Sequence, residues 1–250
     1  MTEATRISVA TYNIHRGVGR DGRMDHQRVA GVILDLDADI VALQEVETPA
    51  SVAPGAVALM HRLAQQGYEP VLGPTMWSER GSYGNALLSR LPVRRHRRHD
   101  LSHPGREPRG LIEATLRLKP PGRHWRLPSQ GREIRCFATH LGLRASERSA
   151  QIRKLDSLLA RAAGVSPTLL MGDFNEWRRR AGRLKQLHAR LQPAPTRSTY
   201  PGFWPLFPLD RIWLGGGLDL EAVEVVRAGL ARVASDHLPL RAVLRLVAMQ

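Results

Sequence analysis

What most constrains this chain is a pattern that recurs along it: a short apolar run that stops abruptly at a carboxylate, a carboxamide or an imidazole. Leu169, Leu170 and Met171 lead straight into Gly172, Asp173, Phe174 and Asn175. "VATY" ends at Asn13, "IVAL" at Gln44 and Glu45, "CFAT" at His140, and Asp236 and His237 stand immediately before "LPLRAVLRLV". Apolar runs of this length, bounded by polar residues, read as buried strands. An unpaired charge inside such a core costs several kcal/mol, so the polar tips must gather at one wet, metal-bound or hydrogen-bonded rim.

Strand character recurs at 6–15, 38–47, 84–90, 110–118, 133–142, 167–173, 209–216, 220–227 and 238–247. Helical spacing is clearest over 146–163, where Ile152, Leu155, Leu159 and Ala162 share a face and Ser146 is placed to cap the N-terminus. Further helices are expected at 26–37, 55–67 and 178–190. The mixture implies an α/β sandwich with sheets inside and helices outside. No repeat and no Gly-, Ser- or Pro-rich linker divides residues 1–250, which read as a single catalytic domain and a monomer.

Two loops stand out. Residues 119–131 read as a hairpin tip. Residues 191–208 carry Tyr200, Phe203, Trp204 and Phe207, which either plug the end of a sheet or wall a substrate site. "RRHRRHD" (94–100) fits a nucleic-acid-binding stripe and equally a polar edge strand.

A hydrophobic fraction of 42% is enough for a packed core. The formal charge of +14 points to polyanionic partners: nucleic acid, inositol phosphates or anionic lipid headgroups. Cys136 is the sole cysteine, which rules out an intrachain disulfide and a cysteine-based zinc cluster. The N-terminal residues lack a signal-peptide pattern, and no apolar run reaches the roughly 18 residues of a membrane span, so the expectation is a cytoplasmic protein without a transmembrane segment.

Any metal must therefore be held by oxygen and imidazole. Glu45, Asp173 and Asp236 offer carboxylates and Asn13 and Asn175 carboxamides, a donor set suited to magnesium or manganese. His140 and His237 add proton transfer or phosphate contact near neutral pH. Together these groups suit metal-assisted attack of water on a phosphoryl centre.

The ordered series "TYNIHRG", "ALQEVE", "GNALLSR", "EPRGLIEATL", "FATHLG", "LLMGDFNE", "LDRIW" and "SDHLPL" resembles the endonuclease/exonuclease/phosphatase superfamily over residues 7 to about 244. The resemblance implies a four-layer sandwich, two face-to-face mixed β-sheets flanked by helices. It also implies roles. Glu45 resembles the principal metal ligand, with Asn13 and Asp236 beside it. Asp173 resembles the residue that orients the attacking water, and Asn175 a phosphate contact. His237 resembles the imidazole on the scissile phosphate and Asp210 the aspartate that orients it, although Asp210 could instead pair with Arg211. His140 resembles the second histidine of the deoxyribonuclease I-like branch. Arg109, with Arg106 as an alternative, resembles a phosphate-binding residue. One departure stands out: the carboxylate that partners that second histidine has no counterpart around "SYGNALLSR".

The expected activity is divalent-metal-dependent hydrolysis of phosphodiester bonds, with DNA or RNA as substrate. The alternative is a phosphatase or phospholipase-type enzyme acting on inositol phosphates or phospholipid headgroups, which would use the same catalytic residues.

Overall fold

The structure, a computed structural model, describes residues 5–49, 56–79, 81–118, 132–161, 166–178 and 182–247. In chain order the elements are β1 (Arg6–Asn13), α1 (His26–Asp35), β2 (Ile40–Pro49), α2 (Ala56–Gln65), β3 (Glu69–Ser78), β4 (Gly81–Ser89), β5 (Val93–Asp100), β6 (Gly110–Arg117), β7 (Glu133–His140), α3 (Ala145–Ala160), β8 (Thr168–Asp173), α4 (Lys185–His188), β9 (Gln192–Pro193), β10 (Asp210–Gly215), β11 (Leu218–Val225) and β12 (Leu240–Leu246). They form two six-stranded sheets, ordered β11-β12-β1-β2-β4-β3 and β5-β6-β7-β8-β10-β9.

Strand periodicity builds the layers. In β1, Ile7 and Val9 point into the core between the sheets, while Ala10 and Tyr12 point outward under α1 and α2. β2 alternates in the same way, with Ile40 and Ala42 inward and Val41 and Leu43 outward. In the second sheet Cys136, Ala138, Leu169 and Met171 face the shared core, and Phe137, Leu170 and Trp213 pack beneath α3 and α4. Both faces of the central strands are covered, hence their continuous apolar runs. The expected four-layer arrangement is the one observed.

Each sheet is built around a parallel pair, β1 with β2 and β7 with β8. Parallel strands finish on the same side, and the register aligns their ends: Asn13 lies opposite Gln44, and His140 opposite Asp173. β10 runs antiparallel to β8 and begins where β8 ends, placing Asp210 beside Asp173. The polar tips therefore share one rim of the sandwich.

Several local expectations need correction. Ser146 is not the N-cap of α3: Arg144 precedes the helix, and its backbone N–H donates to Glu147 at 3.4 Å. Ala162 and the 119–131 loop lie outside the described residues. Among the described residues of the helix expected over 178–190, the structure has a 3-10 turn at Gly182–Leu184 and the short α4, while 179–181 lie outside them. Gly182 weakens helix propensity there, and buried Glu176 holds the neighbouring arginines Arg148 and Arg183 in ion pairs. β3, which contains Pro70, Gly73 and Pro74, is not among the strands expected from the sequence. It sits at a sheet edge, where a missing backbone donor is tolerated. The segment 94–100 is an edge strand as well. Among the described residues no helix is long and apolar enough to cross a membrane.

Candidate active site

A cleft of about 500 Å³ opens on the rim where the strand tips meet. Its lining includes Asn13, Glu45, Arg109, His140, Asp173, Asn175, Asp236 and His237, while Asp210 is buried directly behind His237. Arg106 is exposed and does not line the cleft. The sequence reading thus located the cluster but missed part of its wall. Tyr83, Glu107, Leu143, Trp177 and Leu209 also line it. Nothing in their local sequence marks them, since each is brought in by the packing of the two sheets.

The backbone is bent to present several of these groups. Glu45 sits at a register break in β2, between Leu43 and Val46, with a φ of 59°, and Asn175 has a φ of 49°. Side chains other than glycine rarely adopt such angles, which cost on the order of 1–3 kcal/mol and cluster at functional sites. Just before the tip of β8, Gly172 lets two strands approach: a Cβ there would lie 1.9 Å from the Thr139 carbonyl oxygen.

Asp173 is the hub. Its Oδ1 accepts the Asn175 backbone N–H at 2.8 Å, and its Oδ2 accepts Asn13 Nδ2–H at 3.1 Å. The same Oδ2 is approached by His140 Nε2 at 3.5 Å and His237 Nε2 at 3.7 Å. Asn13 also donates to Glu45 Oε1 at 3.1 Å, and its own oxygen accepts the His15 backbone N–H at 3.0 Å. That bond fixes the orientation of the amide. Asn13 therefore presents nitrogen to Glu45 and bridges two carboxylates.

His237 Nδ1 lies 2.9 Å from Asp210 Oδ2, which also accepts the Thr199 hydroxyl at 2.5 Å. Arg211 does not compete for Asp210: its guanidinium donates to the carbonyls of Pro208, Glu176 and Arg178. Ser235 ties the His237 loop to β1, donating to the Asn13 carbonyl at 2.8 Å and accepting the His237 N–H at 3.2 Å. Tyr200 packs its ring against His237 at 4.9 Å. Burial alone would lower the imidazole, but Asp210, with Asp173 and Asp236 behind it, pushes it up to about 10.

His140 is the opposite case. Burial and then the Arg109 guanidinium hold its pKa down at about 3, despite nearby Asp173. Arg109 Nη1 approaches His140 Nδ1 at 3.4 Å, and Asn175 Nδ2 approaches Nε2 at 3.1 Å. Nε2 also has Asp173 Oδ2 at 3.5 Å, whereas a proton on Nδ1 would face the Arg109 guanidinium and find no acceptor. The missing carboxylate is thereby explained: Arg109 stands beside this ring, and Glu107 is one step further out, bonded to Arg109 at 2.7 Å.

Among the described residues of the cleft, two places offer carboxylates to a cation. The ligand atoms of Asp173, Asp210 and His237 lie within 4.8 Å of one another. An ion there would have to displace the proton that Asp210 stabilises on His237. Glu45 and Asp236 line the open cleft, are only partly buried, and offer hard oxygens. Burial, followed by the charges of Glu45 and Glu107 and opposed by Arg109 and Arg16, pushes the Tyr83 hydroxyl up to about 12. The donor set fits a hard divalent cation at Glu45 and Asp236.

Residues 10–237 match the model of the Endonuclease/Exonuclease/phosphatase family. The chain is 31% identical to the uncharacterized protein YbhP of Escherichia coli, with 98% of each chain covered. An endonuclease/exonuclease/phosphatase from Beutenbergia cavernae superposes with a TM-score of 0.76 at 24% identity, over 97% of this chain and 72% of that one. The catalytic domain of human Nocturnin, solved with a bound sulfate anion, superposes with a TM-score of 0.75 at 21% identity, covering 99% and 97% of the two chains. These two structures share the fold.

Proposed function

This chain belongs to the endonuclease/exonuclease/phosphatase family, and from that premise we propose that its cleft hydrolyses phosphodiester bonds of DNA or RNA, using magnesium or manganese. The observation that carries this reading is Asp173 Oδ2, a single oxygen approached by a neutral imidazole on one side and a charged one on the other.

In this reading Asp173 orients the attacking water and takes up its proton, with Asn13 and the Asn175 N–H fixing the carboxylate. His237, kept charged by Asp210, directs Nε2–H at the phosphate, and as the P–O ester bond breaks its proton passes to the departing alkoxide oxygen. Arg109 and Asn175 bind the phosphate from the His140 side. His140 stays neutral and positions both of them. Glu45 and Asp236 hold the cation, which when bound supplies Lewis-acid polarisation of the phosphate.

The charge of +14 and the cleft-lining aromatics Trp177, Tyr200 and Phe207 support a nucleic-acid substrate, whose bases stack without regard to sequence. One observation favours a second reading, a phospholipid headgroup. Leu143, Phe203, Trp204 and Leu206 are all more than half exposed, and Leu143 lines the cleft. Exposed apolar groups around a site mark an interaction surface.

The test is turnover of oligonucleotides, an inositol polyphosphate and anionic phospholipid vesicles, with added metal and with excess chelator. Cleavage of oligonucleotides that stops on chelation is expected. Full activity in chelator removes the metal from the scheme, and turnover confined to vesicles selects the second reading. Glu45→Gln should raise the metal concentration needed for half-maximal rate about tenfold, with recovery at high manganese. Asp173→Asn should lower kcat by about 10²–10⁴ with little change in metal dependence, because its part is in proton transfer. Identical metal titrations for both variants would show the roles to be wrongly assigned.

A further inference from the structure

A second groove, of about 330 Å³, opens beside the cleft and shares Arg109 with it. Its walls come from the two edge strands: Pro74 and Trp77 on β3 of one sheet, Arg98 on β5 of the other. Its floor is backbone, because β3 and β6 approach closely there. A Cβ on Gly110 would lie 2.9 Å from the Thr75 methyl group.

Three features of this groove lack a structural explanation. Trp77 is 72% exposed on an edge strand, opposite a serine, Ser82. An indole so placed contributes little packing. Arg98 stands in register with Ile112, a residue of the core between the sheets, so it projects along the inner face of β5. The outer face of that strand carries the residues with protein partners: His99 bonds Glu113 at 2.7 Å and Arg95 bonds Thr115 at 3.2 Å. Arg109 is 6% exposed, it bonds Glu107 and His140 through Nη1, and its buried Nε has no hydrogen-bond partner among the described residues. A buried donor left unpaired costs about 1–3 kcal/mol. Asp100 also lines the groove, and its carboxylate is engaged by the Ser102 N–H at 2.8 Å.

We propose that this groove is a subsite for the single-stranded flank of a nucleic-acid substrate. A base stacks on Trp77, its phosphate pairs with Arg98, and Arg109 binds the phosphate at the junction with the catalytic cleft. The inference rests on the nuclease reading above. Alternating aromatic and guanidinium groups match the alternation of bases and phosphates along a strand. An acyl chain would find two arginines in its path, and an inositol phosphate is too small to occupy both grooves.

The experiment measures binding of a fluorescent octanucleotide and of a dinucleotide to Asp173→Asn protein, alone and combined with Trp77→Ala, Trp77→Phe or Arg98→Gln. Trp77 and Arg98 are both exposed, so these variants are expected to fold. Trp77→Ala should weaken octanucleotide binding about tenfold, the scale of one lost base–aromatic stack. Trp77→Phe should recover most of that loss. Arg98→Gln should weaken binding and make the log–log salt slope shallower by about 0.7, as for one lost phosphate contact on a single strand. Effects on the dinucleotide should be smaller in every case. If the wild type cleaves the octanucleotide while Trp77→Ala and Arg98→Gln bind it unchanged, the groove proposal fails and the nuclease reading stands. If no oligonucleotide is bound or cleaved, both fail.

Discussion

His140 and His237 are equally buried, both 4% exposed, and both point Nε2 at the same oxygen of Asp173. They nevertheless differ in charge, His237 cationic and His140 neutral. His140 comes from the tip of β7 in the second sheet and has Arg109 against its other nitrogen. His237 comes from the loop leading into β12 of the first sheet and has Asp210 there instead. Burial disfavours the imidazolium in both. The partner on Nδ1 then decides, because a carboxylate within hydrogen-bond reach outweighs desolvation and a guanidinium adds to it. One half of the cleft is thereby set to give a charged hydrogen bond, and the other to hold a neutral ring beside an arginine.

The sharpest way to break this comparison is to remove the charged half. His237→Ala and Asp210→Ala should each lower kcat by about 10³, within the 10²–10⁴ range of a positioned acid–base group. The double variant should be scarcely worse than either, since the two act as a unit. Losses that multiply cleanly, in folded proteins, would mean that Asp210 acts independently of His237.

Replacing each ring with a neutral amide sharpens the contrast. His140→Gln should retain activity within about tenfold of wild type, because a neutral group that hydrogen-bonds is what that position holds. His237→Gln should lose about 10²–10³, because the amide cannot carry the charge. Equal losses in kcat for the two glutamine variants would erase the distinction between the halves.

The smallest effect is on stability without added metal, and it has opposite signs for the two rings. The folded pKa of His140, about 3, is below its unfolded value, so the unfolded chain binds the proton first and stability falls as pH drops from about 6.5 toward 3. The folded pKa of His237, about 10, is above its unfolded value. Its contribution is complete below about pH 6.5 and is lost as pH rises toward 10. Urea denaturation across pH should show the acid slope reduced in His140→Gln and the alkaline slope reduced in His237→Gln. NMR titration of the two rings provides the direct check. A His140 that protonates near pH 6.5 would remove the neutral half of the comparison.

Much of this was legible in the chain. The apolar runs of β1, β2, β7 and β8 marked buried strands, and their polar ends marked a common rim. Asn13, Glu45, His140 and Asp173 could be found because each interrupts an apolar run. The misses share a cause. β3 carries prolines that only an edge position tolerates, and whether a strand is an edge depends on its neighbours. Trp177, Tyr83 and Glu107 look like ordinary surface residues until two sheets bring them to one wall. The aromatic loop posed a question that composition could not answer. The structure places Phe203 and Trp204 largely in solvent and Tyr200 against His237, so the loop walls the cleft and does not plug a sheet.

By itself, then, the sequence determined the strands and helices, the rim and the kinds of chemical group gathered there, because burial and the cost of isolated charge act on each run locally, while the four-layer arrangement followed from the family resemblance and not from the runs themselves. The tertiary structure decided which nitrogen faces which partner. The bond from Asp210 to His237 spans 27 residues and the contact from Arg109 to His140 spans 31, each joining separate elements. Protonation depends on distances of a few ångströms between such groups: the contact from Arg109 to His140 exists once β6 pairs with β7, and the bond from Asp210 to His237 only once the two sheets have packed.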